Sequence, residues 1–158
     1  MKHHQYKINL QWTGNTGSGT SSYMQYERAH EVTAPYKPIL PMSSDPAFRG
    51  DPARYNPEEL LVSAIASCHM LWYLHLCVSE NIVVTAYKDN AEGKMMENKD
   101  GSGRFQQVIL KPEVIITDES KTDLAKRLHS KAHAMCFIAS SVNFEVLCEP
   151  VCTVGKMD

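Results

Sequence analysis

The chain has 158 residues, of which 43% are hydrophobic and 22% are charged, and its formal net charge is −2. This length and composition suit one compact domain over residues 1–158 and exclude a disordered or fibrous chain. The nearly balanced charge argues against nucleic acid or an anionic membrane as a partner. Five cysteines, too few for a secreted disulfide scaffold, and the lack of a signal-peptide pattern predict a cytoplasmic protein with reduced thiols.

The N-terminal segment, residues 1–33, is typical of a β-hairpin. Residues 6–12 alternate between apolar and polar side chains with a period of two, which predicts a half-buried strand. Glycines and small polar residues follow as a turn, and residues 23–32 are predicted to form the returning strand.

A proline-rich segment, residues 34–57, comes next and holds six of the eight prolines. Proline lacks an N–H donor and restricts the residue before it to extended conformations. We therefore expect a stiff, irregular loop here, and a loop of this length in a small domain usually shapes a site.

A long helix is predicted over residues 57–79. Asn56 is placed to be its N-cap, Pro57 suits the first helical position, and Glu59 completes a capping-box pattern. The acidic first turn also suits the positive end of the helix dipole.

Residues 60–78 of this helix are apolar on nearly every face and are long enough to cross a bilayer. They include His69 and His75 and lack cationic flanks, which argues against a membrane span. We expect a core helix covered by protein on every side. A domain this small cannot surround such a helix alone, so a dimer is predicted.

The C-terminal half of the chain is predicted to contain four strands and a second helix. The ranges are 82–86, 91–96 and 105–117 for strands, 121–136 for the helix and 142–148 for the last strand. Pro112 predicts an edge position or a bulge in the third of these segments. The order ββ–α–βββ–α–β lacks a regular βα alternation and is typical of an α+β fold.

The spacing of cysteine and histidine residues predicts no metal site. Cys148 and Cys152 form a CxxxC pair without a second pair, and His69 and His75 do not share a helical face. Cys77 and Cys148 are interpreted as small buried apolar side chains.

Cys68, in the middle of the first helix, and Cys136, after the second, are candidates for a redox pair. A reactive thiol must ionise, and the middle of a helix offers no dipole to help it, so a cation is needed nearby. The candidate cations are Arg54, Arg28 and Arg49. Glu58 can hold such an arginine in a bidentate pair; the alternative is a surface ion pair of little energetic weight.

Two runs of the sequence, NPEELLVSAIASC at residues 56–68 and AHAMCFIASSVNFEV further on, resemble the signature regions of the OsmC/Ohr family of thiol-dependent peroxidases. In that family the peroxidatic cysteine follows the glutamate of a Pro-Glu pair by ten positions, as Cys68 follows Glu58. The resolving cysteine comes shortly after a histidine, as Cys136 follows His133. The resemblance implies an α+β OsmC-like fold, with antiparallel sheets packed around a buried central helix in an intertwined homodimer.

The resemblance implies an enzyme that reduces organic hydroperoxides in a stress response. Cys68 would become a sulfenic acid, Cys136 would form a disulfide with it, and an external dithiol, such as a lipoylated protein, would reduce that disulfide. No bound cofactor and no metal are expected. The family takes its catalytic arginine from the first hairpin turn, where this chain has TGNTGSGT and no arginine. Arg54 is the first candidate to replace it, Arg28 the second and Arg49 the third.

Two alternatives remain open. One is a protein of the same fold that has lost peroxidase activity and binds an apolar molecule at the dimer interface. The other is a thiol hydrolase or acyltransferase that uses Cys68 with His69 or His133, although neighbouring side chains on a helix diverge by about 100°.

The geometry of a straight helix adds an expectation about assembly. Ten residues separate Glu58 from Cys68 by roughly 15 Å along the axis, which a glutamate side chain cannot span. Glu58 can serve Cys68 only from a second subunit whose central helix runs antiparallel. We therefore expect a homodimer with its active sites at the subunit interface.

Overall fold

The structure is a computed structural model, and it describes residues 2–155. The described residues group into two compact units, the first ending at Leu60 and the second beginning at Leu61. The strands are β1 (Asn9–Trp12), β2 (His30–Thr33), β3 (Leu40–Met42), β4 (Val84–Asp89), β5 (Glu92–Glu97), β6 (Gly103–Leu110), β7 (Pro112–Ile116), β8 (Glu145–Cys148) and β9 (Val151–Val154). The helices are α1 (Pro57–Ser79) and α2 (Thr122–Met135).

The first unit contains an antiparallel sheet in the order β1–β2–β3. The predicted strand over residues 23–32 is wrong for most of its length, because β2 begins only at His30. The Arg28 guanidinium explains this difference. It donates hydrogen bonds to the carbonyls of Tyr26, at 2.6 Å, and Tyr23, at 3.1 Å, and so occupies acceptors that a strand would use.

The proline-rich segment is more regular than predicted. It contains β3 and a short 3₁₀ helix, Pro46–Phe48. Pro41 lies in β3 opposite Glu31. Because β3 is an edge strand, the missing N–H of Pro41 leaves no gap in the sheet, which is where proline is tolerated.

Helix α1 begins and ends at the predicted residues. At its start the Glu59 N–H donates to Asn56 Oδ1 at 2.8 Å, and the Asn56 N–H donates to Glu59 Oε2 at 3.1 Å, so the predicted capping box is confirmed. At its end Asn81 has a left-handed φ of 54°, and the Ile82 N–H reaches back to the Cys77 carbonyl at 2.8 Å. This is a Schellman motif, which satisfies the last carbonyls of the helix.

The second unit contains two three-stranded sheets, in the orders β4–β7–β9 and β5–β6–β8. The sheets are mixed and not antiparallel as expected, because β8 runs parallel to β6 and β9 parallel to β7. Strand β9 was not predicted at all. The single strand expected over 105–117 is wrong as well, since the chain leaves one sheet at Leu110 and enters the other at Pro112.

The break between β6 and β7 has a local cause. The Lys111 N–H donates to the Asp89 side chain at 2.8 Å instead of to a neighbouring strand. Pro112 is the first residue of β7, which is a central strand, so its predicted edge position is wrong. The first position of a strand tolerates proline because no ladder bond depends on its N–H.

Helix α2 and one side of α1 pack on these sheets. Tyr73 and Leu76 of α1 share a core with Leu128 of α2 and Ile116 of β7. Ile65 of α1 packs in a smaller core on β6. By length and composition α1 would be able to cross a bilayer, yet these side chains are buried within the chain.

Within the single chain, helix α1 is not covered on every side. An outward stripe of the helix is exposed along four turns, formed by Ala64, Ser67, Leu71, His75 and Val78. Leu71 is 63% and Val78 is 75% exposed. We call these five residues the α1 stripe. An exposed stripe that includes large apolar side chains marks a surface suited to another protein surface.

Candidate active site

Cys68 and Cys136 are brought together in the second unit. Cys68 is half-buried on α1, and Cys136 is fully buried directly after the last residue of α2. Both are free thiols. Burial, and then the neighbouring Cys68 thiol, raises the pKa of Cys136 to about 11. The two thiols are therefore neighbours in the fold.

The turn that ends α2 holds the sulfur of Cys136 in place. The Cys136 backbone is extended, with a φ of −70° and a ψ of 109°, so the helix stops here. The Ala139 N–H then donates to Cys136 Sγ at 3.4 Å, and the Ser140 N–H donates to the Cys136 carbonyl at 3.0 Å. These two hydrogen bonds hold Cys136 in place through the backbone of the turn that follows α2.

A pocket of about 390 Å³ lies against Cys68. Its other walls are Leu71, Trp72, His75 and Phe137. The Trp72 ring meets the Phe137 ring edge-on, with centroids 5.5 Å apart, which gives one wall a defined shape. The half-buried thiol of Cys68 is thus presented to a small apolar space.

His69 does not accompany Cys68 into this pocket. It points into the interior, where its Nε2 lies 3.0 Å from Nδ1 of His129. A dyad of Cys68 and His69, one of the two pairs that the hydrolase alternative could use, is therefore not formed.

All three candidate arginines are found in the first unit, where they line one pocket of about 380 Å³. Arg28 lies between two aromatic rings, 4.4 Å from the Tyr23 centroid and 4.2 Å from the Tyr26 centroid. Arg54 Nε lies 3.4 Å from the Asp51 carboxylate. Within residues 2–155 the carboxylate partner of Arg54 is thus Asp51, and the predicted pair with Glu58 is not formed.

The three arginines differ in how far their nitrogens are already used. Both terminal nitrogens of Arg28 donate to backbone carbonyls. In the described part of the chain no hydrogen bond engages the terminal nitrogens of Arg54. Arg54 therefore has terminal N–H donors available for an external group. The terminal nitrogens of Arg28 instead hold the conformation of its own loop.

A histidine cluster lies beneath the cysteine pair in the interior of the second unit. His69 and His129 are almost fully buried, and Cys148 Sγ lies 3.6 Å from His69 Nε2 and 3.9 Å from His129 Nδ1. Burial, reinforced by His133, lowers the pKa of His69 to about 4. Burial and the neighbouring His69 lower the pKa of His129 to about 3. Both imidazoles are therefore neutral at neutral pH.

The sequence offered no sign of this cluster. His69 and His129 are 60 residues apart and Cys148 follows 19 residues later, so no short motif contains them. Only the crossing of α1, α2 and β8 brings them together. The prediction of Cys148 as a buried apolar side chain overlooked its two imidazole neighbours.

Comparisons with known proteins place these observations in a family. A family model described as OsmC-like protein matches residues 50–150. Among solved structures, the OsmC-like protein of unknown function VCA0330 from Vibrio cholerae O1 biovar eltor str. N16961 is 31% identical, over 94% of this chain and 100% of that one, with a TM-score of 0.83.

More distant relatives are known from sequence and from structure. Uncharacterized protein YmaD of Bacillus subtilis (strain 168) is 24% identical over 92% of this chain and 91% of its own length. An organic hydroperoxide resistance protein from Elizabethkingia anophelis is 15% identical, covers 98% of this chain and 100% of its own, and superposes with a TM-score of 0.66.

Proposed function

Because the chain belongs to the OsmC-like protein family, we propose that it is a thiol peroxidase that reduces organic hydroperoxides to alcohols. The observation that carries this proposal is that Cys68, on the wall of an apolar pocket, neighbours the buried thiol of Cys136. A lone structural cysteine needs neither the pocket nor the second thiol.

The reaction has three balanced steps. The Cys68 thiolate attacks the terminal oxygen of the hydroperoxide, the O–O bond breaks, and the alcohol leaves after its oxygen takes up a proton, so that Cys68 becomes a sulfenic acid. The Cys136 sulfur then attacks the Cys68 sulfur, water leaves, and a disulfide forms. An external dithiol, of the lipoyl type, reduces this disulfide and is itself oxidised to a disulfide.

The high pKa of Cys136 is compatible with its part in this sequence. Cys136 stays protonated while Cys68 reacts, so it does not compete for the hydroperoxide. Loss of its proton is needed only once the sulfenic acid has formed beside it. The different burial of the two cysteines thus accounts for their different roles, in which Cys68 reacts with the hydroperoxide and Cys136 forms the disulfide.

The walls of the pocket favour an organic substrate. Leu71, Trp72 and Phe137 offer the alkyl group an apolar surface, whereas hydrogen peroxide has no group that would use it. We expect the reduced protein to turn over tert-butyl hydroperoxide with dihydrolipoamide, and to do so at least about tenfold more efficiently than hydrogen peroxide, the ratio that 1.4 kcal/mol of binding supplies. The measurement is steady-state kcat/KM for each peroxide.

The result that would contradict this proposal is equally direct. If no alkyl hydroperoxide is consumed by protein that has native circular dichroism and a Cys68 thiol that still reacts with iodoacetamide, the peroxidase chemistry is absent. The alternative function, binding of an apolar molecule in the same pocket, would then be favoured.

Arg54 is proposed to stabilise the Cys68 thiolate and the charge that develops on the leaving oxygen. We expect Arg54→Met to lower kcat/KM by about 10²-fold, the usual cost of losing one donor to a developing oxyanion. Arg49→Met, which removes a neighbouring guanidinium from the same pocket, serves as the matched control and is expected to change kcat/KM less than about threefold. An unchanged Arg54→Met enzyme combined with a strong loss in Arg28→Met would assign this role to Arg28.

The assembly proposed for this function is a homodimer. The α1 stripe is exposed in the single chain, and Cys68 lies beside it on the same helix. A second copy with its own stripe would cover these residues in a two-fold arrangement. Small residues at 63, 64, 66 and 67 permit the close approach of two such helices. The partner subunit's Glu58 would then act as the residue that positions the arginine.

A further inference from the structure

The donor atoms of His69, His129 and Cys148 meet at one point inside the second unit. His69 belongs to α1, His129 to α2, and Cys148 is the last residue of β8. The three ligand atoms all lie within 4.8 Å of one another. Two neutral imidazoles and a thiol are the donors that borderline and soft transition metals prefer, whereas magnesium and calcium select oxygen ligands.

The triangle of donor atoms matches a tetrahedral metal site. With Zn–N bonds of about 2.0–2.1 Å and a Zn–S bond of about 2.3 Å, tetrahedral angles require about 3.4 Å between two nitrogens and about 3.6 Å between nitrogen and sulfur. The observed N–N distance is 3.0 Å, and the two N–S distances are 3.6 and 3.9 Å. The short N–N distance is that of a hydrogen bond in which an N–H of one imidazole donates to the other ring. A bound ion would replace this hydrogen bond.

The surroundings of the cluster orient these ligands. The ring of Tyr73 stacks on His129 with centroids 3.8 Å apart, and Cys152 Sγ lies 3.9 Å from the remaining nitrogen of His129, Nε2. A metal-bound histidine ordinarily donates its other N–H to such an acceptor, which fixes the ring and its tautomer. His129 is therefore held with Nδ1 directed at the point that the donors share.

The same region contains buried polar atoms that lack partners. In the described part of the chain, His69 Nδ1, the Tyr87 hydroxyl and Asp89 Oδ2 are buried without a hydrogen bond. His69 Nδ1 therefore makes no competing hydrogen bond, and it is His69 Nε2 that faces His129 and Cys148.

We propose that His69 Nε2, His129 Nδ1 and Cys148 Sγ form a binding site for one Zn²⁺ ion, with water as the fourth ligand. On binding, Cys148 loses its thiol proton to solvent and both histidines bind in their neutral form. Cys148 is half-buried, so the ion can enter from its side.

Such an ion would join the three elements that support the cysteine pair. His69 follows Cys68 on α1 but points into the interior, and His129 lies on the helix that ends just before Cys136. The ion would therefore fix α1 and α2 to β8 without using either redox thiol. It would stabilise the folded state by an amount that rises with the logarithm of its free concentration above Kd, because the unfolded chain does not hold the three ligands together.

Cobalt titration of chelator-treated protein tests the site. Co²⁺ reports tetrahedral geometry through its visible absorption and a bound thiolate through charge transfer in the near ultraviolet. We expect saturation at one Co²⁺ per chain, displacement by Zn²⁺, and slower alkylation of Cys148 in the loaded protein. Cys148→Ser is expected to abolish the charge-transfer band and weaken Zn²⁺ binding by at least about 100-fold.

Two matched variants keep the test specific. A double variant, Cys68→Ser with Cys136→Ser, is expected to bind Co²⁺ as the wild type does, because it leaves all three ligands intact. If this variant loses the band and Cys148→Ser keeps it, the ion is bound by the redox pair and the proposed site is wrong. His129→Gln, checked for native near-ultraviolet circular dichroism, should also lose tetrahedral absorption. A wild-type protein without saturable binding overturns the site, whatever its peroxidase activity.

Discussion

Cys68→Ser is expected to abolish the turnover of organic hydroperoxides, lowering kcat/KM by at least about 10³-fold. A serine hydroxyl occupies the same space on the pocket wall but does not ionise near neutral pH and cannot form a sulfenic acid. The fold should be unaffected because Cys68 is only half-buried and its substitute is nearly isosteric. Coupled consumption of tert-butyl hydroperoxide measures the effect.

Cys136→Ser is the matched comparison, and it should fail at a different step. The first turnover should proceed at the wild-type rate, because Cys68 and its pocket are intact. Turnover should then stop, with Cys68 accumulating as sulfenic and finally sulfinic acid, since no neighbouring thiol captures the intermediate. If both variants keep their multiple turnovers, another thiol carries the reaction. Cys77→Ser, which removes a buried cysteine outside the pocket, should leave kcat/KM unchanged.

Subunit complementation is expected to show that Glu58 acts across a dimer interface. Glu58→Gln should lower activity about 10- to 100-fold, because a misplaced arginine no longer meets the reacting atoms. When this variant is co-expressed with Cys68→Ser, half of the dimers are mixed, and one of their two sites carries an intact Cys68 and an intact Glu58. About a quarter of the wild-type activity should therefore return.

The contrasting outcome of this mixing experiment is near-zero activity. If Glu58 and Cys68 of the same chain work together, every site retains one defective residue and nothing is restored. A mixture of two Cys68→Ser preparations with different affinity tags is the control, since it forms the same mixed dimers without an intact site.

The helix boundaries followed from local chemistry, and that is why the sequence predicted them. The capping box of Asn56 and Glu59 lies within four residues of the sequence. The signal that ends α1, at Asn81, is equally local. The strand errors have the opposite origin. The break at Lys111 depends on Asp89, which is 22 residues away, and the loop before β2 depends on where the Arg28 guanidinium finds its carbonyl partners. Neither the break at Lys111 nor the conformation of the loop before β2 can be predicted from the pattern of hydrophobic residues.

The residues of the candidate site also fall into two groups, those predicted from a local motif and those brought together only by the tertiary fold. Cys68 and Cys136 were predicted because each lies in a short motif, and the two residues are neighbours in the fold. The gathering of Arg28, Arg49 and Arg54 around one pocket was not predicted, although each was named, because it depends on how the proline-rich segment folds. The cluster of two histidines and Cys148 has no local signal at all.

The measurement that tests the proposed chemistry most directly is peptide mass spectrometry of the reduced protein after one equivalent of an alkyl hydroperoxide. The expected result is rapid loss of two hydrogens from the intact chain, a crosslink between the peptides of Cys68 and Cys136, and its reversal by dihydrolipoamide. Slow or absent oxidation, or a crosslink that joins Cys148 or Cys152 instead, would contradict the two-cysteine peroxidase cycle.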